Sequence, residues 1–279
     1  MAENGTTRRR RKQEAEVDDL GTCAGDDQFV VRALCRGLRV LALFNVDYPE
    51  WSLNELARAT HLHKATTYRM TRTMEAEGFL VFNPETGNYH LGPAVIPLSY
   101  LARTPSELER MSKPFLEELA AESGETANLA IETEGTFIVI GSVLTSHTFK
   151  PSLPIGRVLT DLSNAHGKLF VALKPREEWA KFLNRPQPAS TKYSLTDRRQ
   201  IEAELVRVAE EGVAYDMEEH GLGVCSVAAP VRGPKGAIIA TISVVAPKER
   251  FGPEERKRAT ELVKRVGAEL SAYLGYSSE

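Results

Sequence analysis

Cys225 is the strongest candidate nucleophile in this chain of 279 residues. A catalytic cysteine needs a base and an acid that orients the base, and His166 or His220 together with Asp216 could supply them. No local motif accompanies these residues, and Cys225 lies at an apolar position of a predicted strand. An enzyme that uses Cys225 is therefore an alternative and not the first hypothesis.

The same residues also suit a pocket for a small ligand. Between residues 163 and 167 a loop leads into a predicted helix, and the free backbone N–H groups of a helix start attract anions. If Asp216, Cys225 and Ser243 come from neighbouring strands and face this helix start, they form a small cavity with a few polar groups in an apolar wall. In the alternative interpretation, Cys225 and Ser243 only fill the core and Asp216 caps a loop. The helix start comprises Ser163, Asn164, Ala165, His166 and Gly167.

A second group of candidates lies in the stretch from Arg58 to Arg72, which contains no acidic residue. A helix needs only one basic face to enter a DNA groove, even though the whole chain has a net charge of −3. His61 and His63 also lie here, but two imidazoles alone make a poor metal site. We expect no metal and no cofactor, since the sequence has neither a cysteine-rich zinc pattern nor a nucleotide-phosphate motif. The basic residues are Arg58, Lys64, Arg69 and Arg72.

The elements around this stretch follow the plan of a winged helix-turn-helix. Apolar residues recur at helical spacing from Phe29 to Phe44, and a capping-box pattern at Ser52 starts a short second helix. A third helix is predicted from Lys64 to Glu77, and two apolar runs then flank a turn-rich stretch at 83–87, which predicts a hairpin. The alternative is a helical bundle whose basic face is simply solvated.

The third helix has an inward and an outward face in this prediction. The outward face offers donors for phosphates and base edges together with an aromatic ring. The inward face consists of Thr67, Met70, Thr71 and Met74. The outward face consists of Lys64, Ala65, Tyr68, Arg69 and Arg72.

The rest of the chain predicts a second domain of the α+β class. A mainly helical segment starts at Pro93, and a second capping box places a helix start at Ser106. Two hairpins then alternate with helical patterns, so we expect an antiparallel sheet covered by helices. The hairpins lie at 127–143 and 224–247, and the helical patterns at 165–173, 176–183, 197–211 and 253–274.

Length and composition also favour two domains. The chain is longer than one usual domain of about 100–200 residues, and its 42% hydrophobic residues exclude a mostly disordered chain. Residues 1–27 are predicted to be a disordered tail with a basic run from Arg8 to Arg11. No stretch approaches the roughly 18 apolar residues of a membrane span, and three widely separated cysteines argue against a disulfide framework. We expect an unexported, cytoplasmic protein that does not bind membranes.

The sequence resembles the IclR-type transcriptional regulators from about Phe29 to Gly275. The order and spacing of six segments carry this resemblance, namely RALCRGLRVLALF, HKATTYRMTRTMEAEGFL, YHLG, GETANLAIE, AHGKLFVAL and GVAYDMEEHGLGVCSVAAPV. It implies a winged helix-turn-helix at 28–92, a linker helix at 93–109 that joins two subunits, and a GAF-like effector-binding domain at 110–279. It also implies a homodimer, often paired into a tetramer, that binds a pseudo-palindromic operator in double-stranded DNA. The implied effector is a small molecule, commonly a carboxylate.

The resemblance further implies roles for single residues. Ala65 replaces a usual serine, Val245 stands where some relatives have a second serine, and His166 is larger than the small residue common at its position. The departure at Ala65 removes a possible phosphate or N-cap hydroxyl. Those at Val245 and His166 favour a larger or more apolar acid, such as an aromatic one, over a very small polar ligand. The recognition helix would contain Lys64, Thr66, Thr67, Tyr68, Arg69 and Arg72. The effector pocket would be lined by Ser163, Asn164, Ala165, His166, Gly167, Asp216, Cys225 and Ser243.

The first hypothesis is a ligand-responsive DNA-binding regulator of a catabolic or metabolic operon, with repression favoured over activation. Phosphate contacts would come from Arg58, Lys64 and Arg72, and base contacts from Tyr68 and Arg69. Two alternatives stay open. One is a regulator whose second domain only assembles subunits, and the other is the cysteine-dependent enzyme.

Overall fold

The computed structural model describes residues 30–45, 48–101 and 103–277. These residues form two compact units, with the boundary between residues 102 and 103. The predicted tail at 1–27 and the predicted first helical residue, Phe29, lie outside the described residues.

The N-terminal unit contains the predicted three helices and hairpin. A short strand, β1, was not predicted, because three residues are too few to reveal an alternating pattern. It pairs with the hairpin to give an antiparallel sheet in the order β1-β3-β2. The helices are α1 (Arg32–Ala42), α2 (Leu53–Ala59), α3 (Lys64–Ala76) and α4 (Val95–Leu101). The strands are β1 (Glu50–Ser52), β2 (Leu80–Asn83) and β3 (Asn88–Leu91).

Local sequence signals set the boundaries of α2 and α3. The predicted capping box is present, since Ser52 Oγ accepts from the Glu55 N–H at 3.3 Å and the Glu55 carboxylate accepts from the Ser52 N–H at 2.9 Å. After α3, Gly78 adopts a left-handed backbone with φ of +75°, which ends the helix. Gly92 passes so close that a Cβ there would lie 2.2 Å from the Gly78 carbonyl oxygen. Helix α3 and the hairpin therefore meet through two glycines.

Helix α1 carries apolar residues that its own unit does not bury. Val40 and Leu43 are fully buried, whereas Val31, Leu34 and Leu38 are all more than half exposed. The apolar periodicity thus predicted the helix correctly but marked more residues as core than the unit can cover.

The C-terminal unit is an α+β domain built on one antiparallel sheet in the order β6-β5-β4-β9-β8-β7. Both predicted hairpins are confirmed, and the short strands β6 and β7 complete the sheet. The strands are β4 (Thr126–Thr133), β5 (Thr136–Val143), β6 (Val158–Leu159), β7 (Ala214–Met217), β8 (Val224–Arg232) and β9 (Ile238–Pro247). The helices are α5 (Arg103–Ser123), α6 (Ala165–Ala172), α7 (Ala180–Leu183), α8 (Arg198–Glu211) and α9 (Pro253–Tyr273).

Helix α5 corrects the predicted helix start at Ser106. The helix begins three residues earlier, at Arg103, and continues to Ser123, far beyond the predicted linker boundary at 109. Leu116 and Leu119 are buried in the core of the C-terminal unit. This burial places the second half of α5 on its own sheet, a choice that periodicity alone left open.

The sheet separates two cores. Helices α5 and α9 cover one face and pack on Val227, Ile242 and Val244, while α6, α7 and α8 cover the other and pack on Ala214 and Ala228. Successive residues of a strand point to opposite faces. The position of a residue within its strand therefore decides which core it enters.

Candidate functional site

Helix α3 presents its basic side chains to solvent, as the sequence predicted. Thr67 and Thr71 are fully buried, and Met70 and Met74 are half-buried beside them. On the opposite side Tyr68 is 50% exposed, and its exposed neighbours are Lys64, Ala65, Arg69 and Arg72. The exposed face can form hydrogen bonds to DNA phosphates and bases without any rearrangement of the helix.

Thr67 does not belong to this exposed face. Its side chain is completely buried, and its hydroxyl donates to the His63 carbonyl at 3.3 Å. The assignment of Thr67 as a DNA-contacting residue is therefore wrong, because its hydroxyl is covered by its own domain. Thr66 is half-buried at the edge of the face.

Two further features define the electrostatics of this surface. Arg58 is exposed in the last turn of α2, and Arg72 pairs with Glu75 at 2.7 Å while its side chain remains 58% exposed. The turn between β2 and β3 carries Glu85 but no lysine or arginine. Of these elements, α2 and α3 carry basic side chains and the hairpin turn does not.

The register of the second sheet decides which strand residues face the start of α6. Residues directly opposite each other in paired strands share a face. One row across the sheet contains Asp216, Ser226, Val245 and Thr126. The next row contains Ala228, Ser243, Asn128 and Ser142. Ser243 contacts His166 of α6, so both rows lie on the face that α6 covers.

Cys225 lies on the other face. It is opposite Met217 and Ala246, is 1% exposed, and packs in the core with α5 and α9. Burial raises the pKa of its thiol to about 11, whereas a nucleophilic cysteine has a lowered pKa. The assignment of Cys225 to the effector pocket is therefore wrong. Ser226, the next residue, occupies the position that Cys225 was expected to fill.

The start of α6 is fixed by its own sequence. Asn164 caps the helix, since its Oδ1 accepts from the Gly167 N–H at 2.8 Å. A Cβ at Gly167 would lie 2.8 Å from the Asp161 carbonyl oxygen and 2.9 Å from the Phe137 ring, so only glycine fits. Ser163, Ala165 and the rest of this segment are buried. The N–H groups of the first turn point out of the helix start, as in anion-binding sites.

His166 connects this helix to the sheet. Its Nδ1 lies 2.7 Å from Thr241 Oγ1, and its Nε2 lies 3.0 Å from Ser243 Oγ. Complete burial lowers the pKa of His166 to about 4, which keeps the imidazole neutral at neutral pH. Thr241 was missed in the sequence, although it precedes Ser243 by two residues and so shares its face.

Asp216 binds the loop that follows β7. Its Oδ1 accepts from the Glu219 N–H at 2.8 Å and from the His220 N–H at 3.2 Å. Burial raises the pKa of Asp216 to about 7, so the carboxyl titrates near neutrality. His220 Nδ1 in turn lies 3.1 Å from Ser163 Oγ, which joins this loop to the start of α6. Asp216 therefore both caps a loop and lies on the candidate pocket face.

Lys168 holds the elements around the pocket together. This lysine is 1% exposed and donates to the Glu219 carboxylate, to Glu204 at 3.3 Å and to the Tyr215 carbonyl at 2.9 Å. It thus links α6, α8 and the end of β7. The sequence signal was a single charged residue within the otherwise apolar helix AHGKLFVA.

No group of three or more histidine, cysteine, aspartate or glutamate side chains among the described residues is placed to hold a metal ion. No helix in the same part of the chain combines the length and apolar character needed to cross a membrane.

Comparisons with known proteins identify both units. Residues 33–84 match the IclR helix-turn-helix domain, and residues 100–272 match the bacterial transcriptional regulator IclR C-terminal domain. The transcriptional repressor IclR of Escherichia coli is 28% identical over 248 residues, which cover 88% of this chain and 90% of that protein. An IclR transcriptional regulator structure from Alicyclobacillus acidocaldarius is 28% identical, has a TM-score of 0.75, and aligns over 88% of this chain and 100% of its own.

A third similar protein was solved with a ligand. It is an IclR homologue from Microbacterium hydrocarbonoxydans complexed with 4-hydroxybenzoate, 20% identical, with a TM-score of 0.73 over 87% of this chain and 98% of its own. The C-terminal family match alone covers more than half of the chain. The protein therefore belongs to the IclR family, non-enzymatic transcriptional regulators that bind DNA through a helix-turn-helix and carry a C-terminal effector-binding domain.

Proposed function

We propose that this protein is a repressor that releases its operator when a small carboxylic acid, aromatic acids included, binds between the start of α6 and the sheet. The observation that carries the proposal is the buried polar face formed by Ser226, Ser243 and Asp216 beside the helix start. Neutral hydroxyl donors and a helix N-terminus suit a carboxylate. Two similar proteins, the transcriptional repressor IclR of Escherichia coli and the acetate operon repressor of Salmonella typhimurium, are described as repressors. They support repression over activation.

The effector is larger than a two-carbon acid in this proposal. Val245 places an apolar side chain in the row between Ser226 and Thr126, and an apolar surface suits a ring or an alkyl group better than a second hydroxyl would. His166 adds a flat, neutral ring above Ser243. The bound 4-hydroxybenzoate of the Microbacterium homologue is consistent with a ligand of this size.

Helix α3 reads the operator. Arg58, Lys64 and Arg72 supply phosphate contacts, with Thr66 at the edge, and Tyr68 and Arg69 contact base edges in the major groove. A homodimer, able to pair into a tetramer, places two copies of α3 on the two halves of a pseudo-palindromic site. Such a regulator of a catabolic or metabolic operon acts on DNA in the cytoplasm.

The DNA-binding part is tested with Arg69→Ala. A duplex operator is first selected from a random DNA pool with the wild-type protein, and binding is then followed by fluorescence anisotropy at fixed salt. We expect Arg69→Ala to lose specific binding, because a bidentate arginine–guanine contact contributes about 1–3 kcal/mol in each half-site. Arg198→Ala, an exposed arginine on α8, is the matched control and should bind normally. Wild-type affinity in Arg69→Ala would reject this helix as the reader.

The effector part is tested by a thermal-shift screen of metabolic acids, followed by operator release with each stabilising acid. A ligand that binds the folded protein raises its melting temperature with concentration. It changes DNA affinity only if it favours one arrangement of the dimer over another. No stabilisation by any acid would favour the alternative in which the C-terminal domain only assembles subunits.

A further inference from the structure

A buried amide beside the proposed effector site has no hydrogen-bond partner among the residues that the structure describes. Asn128 on β4 is 0% exposed, and neither its Nδ2 nor its Oδ1 bonds to another atom of the described residues. Ser142, directly opposite on β5, has a buried Oγ that also lacks a partner there. Buried polar groups are almost always satisfied, and an exception calls for a specific cause.

The neighbour of Asn128 on β9 is already engaged elsewhere and does not bond to the amide. Ser243, opposite Asn128 on β9, lies at hydrogen-bond distance from His166 Nε2. A neutral imidazole has one donor and one acceptor nitrogen, and Thr241 takes the other nitrogen of His166. The amide thus lies at the edge of a completed hydrogen-bond network and contributes nothing to it.

The charge distribution on this face distinguishes its two ends. Asp216 and Glu219 are buried at the β7 end, where Lys168 pairs with Glu219. Asn128 and Ser142 lie at the β5 end and offer uncharged N–H and O–H donors. A carboxylate is repelled by the first group and can accept hydrogen bonds from the second.

We propose that Asn128, together with Ser142, is the part of the effector site that binds the carboxylate of the ligand. This assignment rests on the proposed function and names the end of the site that the sequence analysis did not include. Asn128 and Asp216 lie three strands apart, which is roughly 14 Å at the usual strand spacing. A ligand that also reaches the Asp216 end must have a second polar group on the opposite side of a ring from its carboxylate. The expected class is a hydroxylated aromatic acid, whose hydroxyl donates toward Asp216.

Asn128→Leu tests the assignment, because leucine has a similar size and no polar atoms. Binding is measured by calorimetry with 4-hydroxybenzoate, 4-hydroxyphenylacetate and their analogues without the hydroxyl, and stability is measured by thermal unfolding without ligand. We expect the ligand-free variant to melt at the wild-type temperature or higher, since it loses no hydrogen bond. We expect its affinity for the acids to fall at least 10-fold, and that of Asn128→Asp to fall further through repulsion.

Ser142→Ala should weaken binding several-fold. Its matched control is Ser112→Ala, which removes another buried hydroxyl without a partner among the described residues, on α5 and on the opposite face of the sheet. This control should bind as the wild type does.

The outcomes separate this assignment from the proposed function. Unchanged affinity in Asn128→Leu, or a lowered melting temperature without ligand, overturns the role of Asn128 and leaves the effector proposal standing. A wild-type protein that binds none of these acids overturns the proposed effector class, and the assignment with it. Equal affinity for the hydroxylated and unhydroxylated acids overturns the second polar contact alone.

Discussion

The two functional regions of this protein are built in opposite ways. The DNA-binding surface is a set of exposed side chains on one helix, α3, and its neighbour Arg58. The proposed effector site is a set of buried side chains drawn from β4, β5, β7, β8, β9 and the start of α6. A solvated charge contributes little to stability, whereas a buried polar group must be satisfied or it destabilises the fold. Substitutions should therefore affect DNA binding alone in the first region, whereas in the second those that break a formed contact should also lower stability.

The largest expected effect is a difference in stability between two lysine substitutions, one in each region. Lys168→Met removes the cation between Glu204 and Glu219 and leaves both carboxylates without it. Breaking a buried pair in this way costs about 3–5 kcal/mol, so the urea midpoint of the C-terminal unit should fall sharply. Lys64→Met, at an exposed position, should change stability by less than about 0.5 kcal/mol. Equal stabilities for the two variants would contradict the difference between the buried and the exposed region.

The next effect concerns how the free energy of unfolding depends on pH. Two buried groups make opposite contributions to this dependence, and these contributions nearly cancel. The folded pKa of Asp216, about 7, lies above its ordinary 3.8, so its contribution falls as pH rises from about 4 to 7. The folded pKa of His166, about 4, lies below its ordinary 6.5, so its contribution rises with pH over nearly the same range. The wild-type free energy of unfolding should therefore change little between pH 4.5 and 6.5 on account of these groups.

Single substitutions should uncover each slope. Asp216→Asn leaves the His166 slope, so stability rises with pH, and His166→Gln leaves the Asp216 slope, so stability falls with pH. Each slope is at most about 1.4 kcal/mol per pH unit. The groups facing Asp216 are Glu219, Lys168 and the His220 N–H, and these remain in both variants. Parallel profiles for the two variants, measured by urea unfolding, would contradict the assignment.

A smaller loss is expected from Gly167→Ala. The added Cβ would meet the Asp161 carbonyl and the Phe137 ring inside normal contact distance. Overpacking of this kind costs about 1–3 kcal/mol, measured as a lower melting temperature. Gly87→Ala is not a suitable control, because Gly87 has a positive φ. Gly221→Ala, with open space around its Cβ and an ordinary backbone, should change the melting temperature little.

The smallest effect concerns ionic strength. If Lys64 contacts one phosphate per subunit, Lys64→Met should reduce the slope of log affinity against log salt by about 0.9 per contact. The operator sequence preference should stay the same, since phosphate contacts carry no base information. An unchanged slope would exclude Lys64 as a phosphate contact.

The helix-turn-helix was predictable because its signals are local. A capping box, a helical period and a left-handed glycine each act within a few residues, and they placed α2 and α3 within a residue of their observed ends. Thr67, which the structure buries, already lay on the inward face in the helical periodicity. The resemblance to the family assigned it to DNA against that pattern.

The effector site was predictable only in outline. The start of α6 and the presence of Asp216 and Ser243 on one face were expected, but Cys225 was placed on that face in place of Ser226. A shift of one residue along a strand reverses the face of the side chain, and the sequence alone did not define the register of β8. Asn128 gave no signal, because an asparagine within an apolar strand shows its lack of partners only when every neighbour is in place.

The sequence by itself determined the class of the longer elements, the two domains, the exposed basic face and the family, because their signals can be read along the chain. The tertiary structure decided which strand residues share a face, that the second half of α5 packs on its own sheet, and which buried polar groups are satisfied. These properties depend on pairings between residues far apart in the chain. Such pairings are set by the packing of the whole domain and not by the pattern within any one strand.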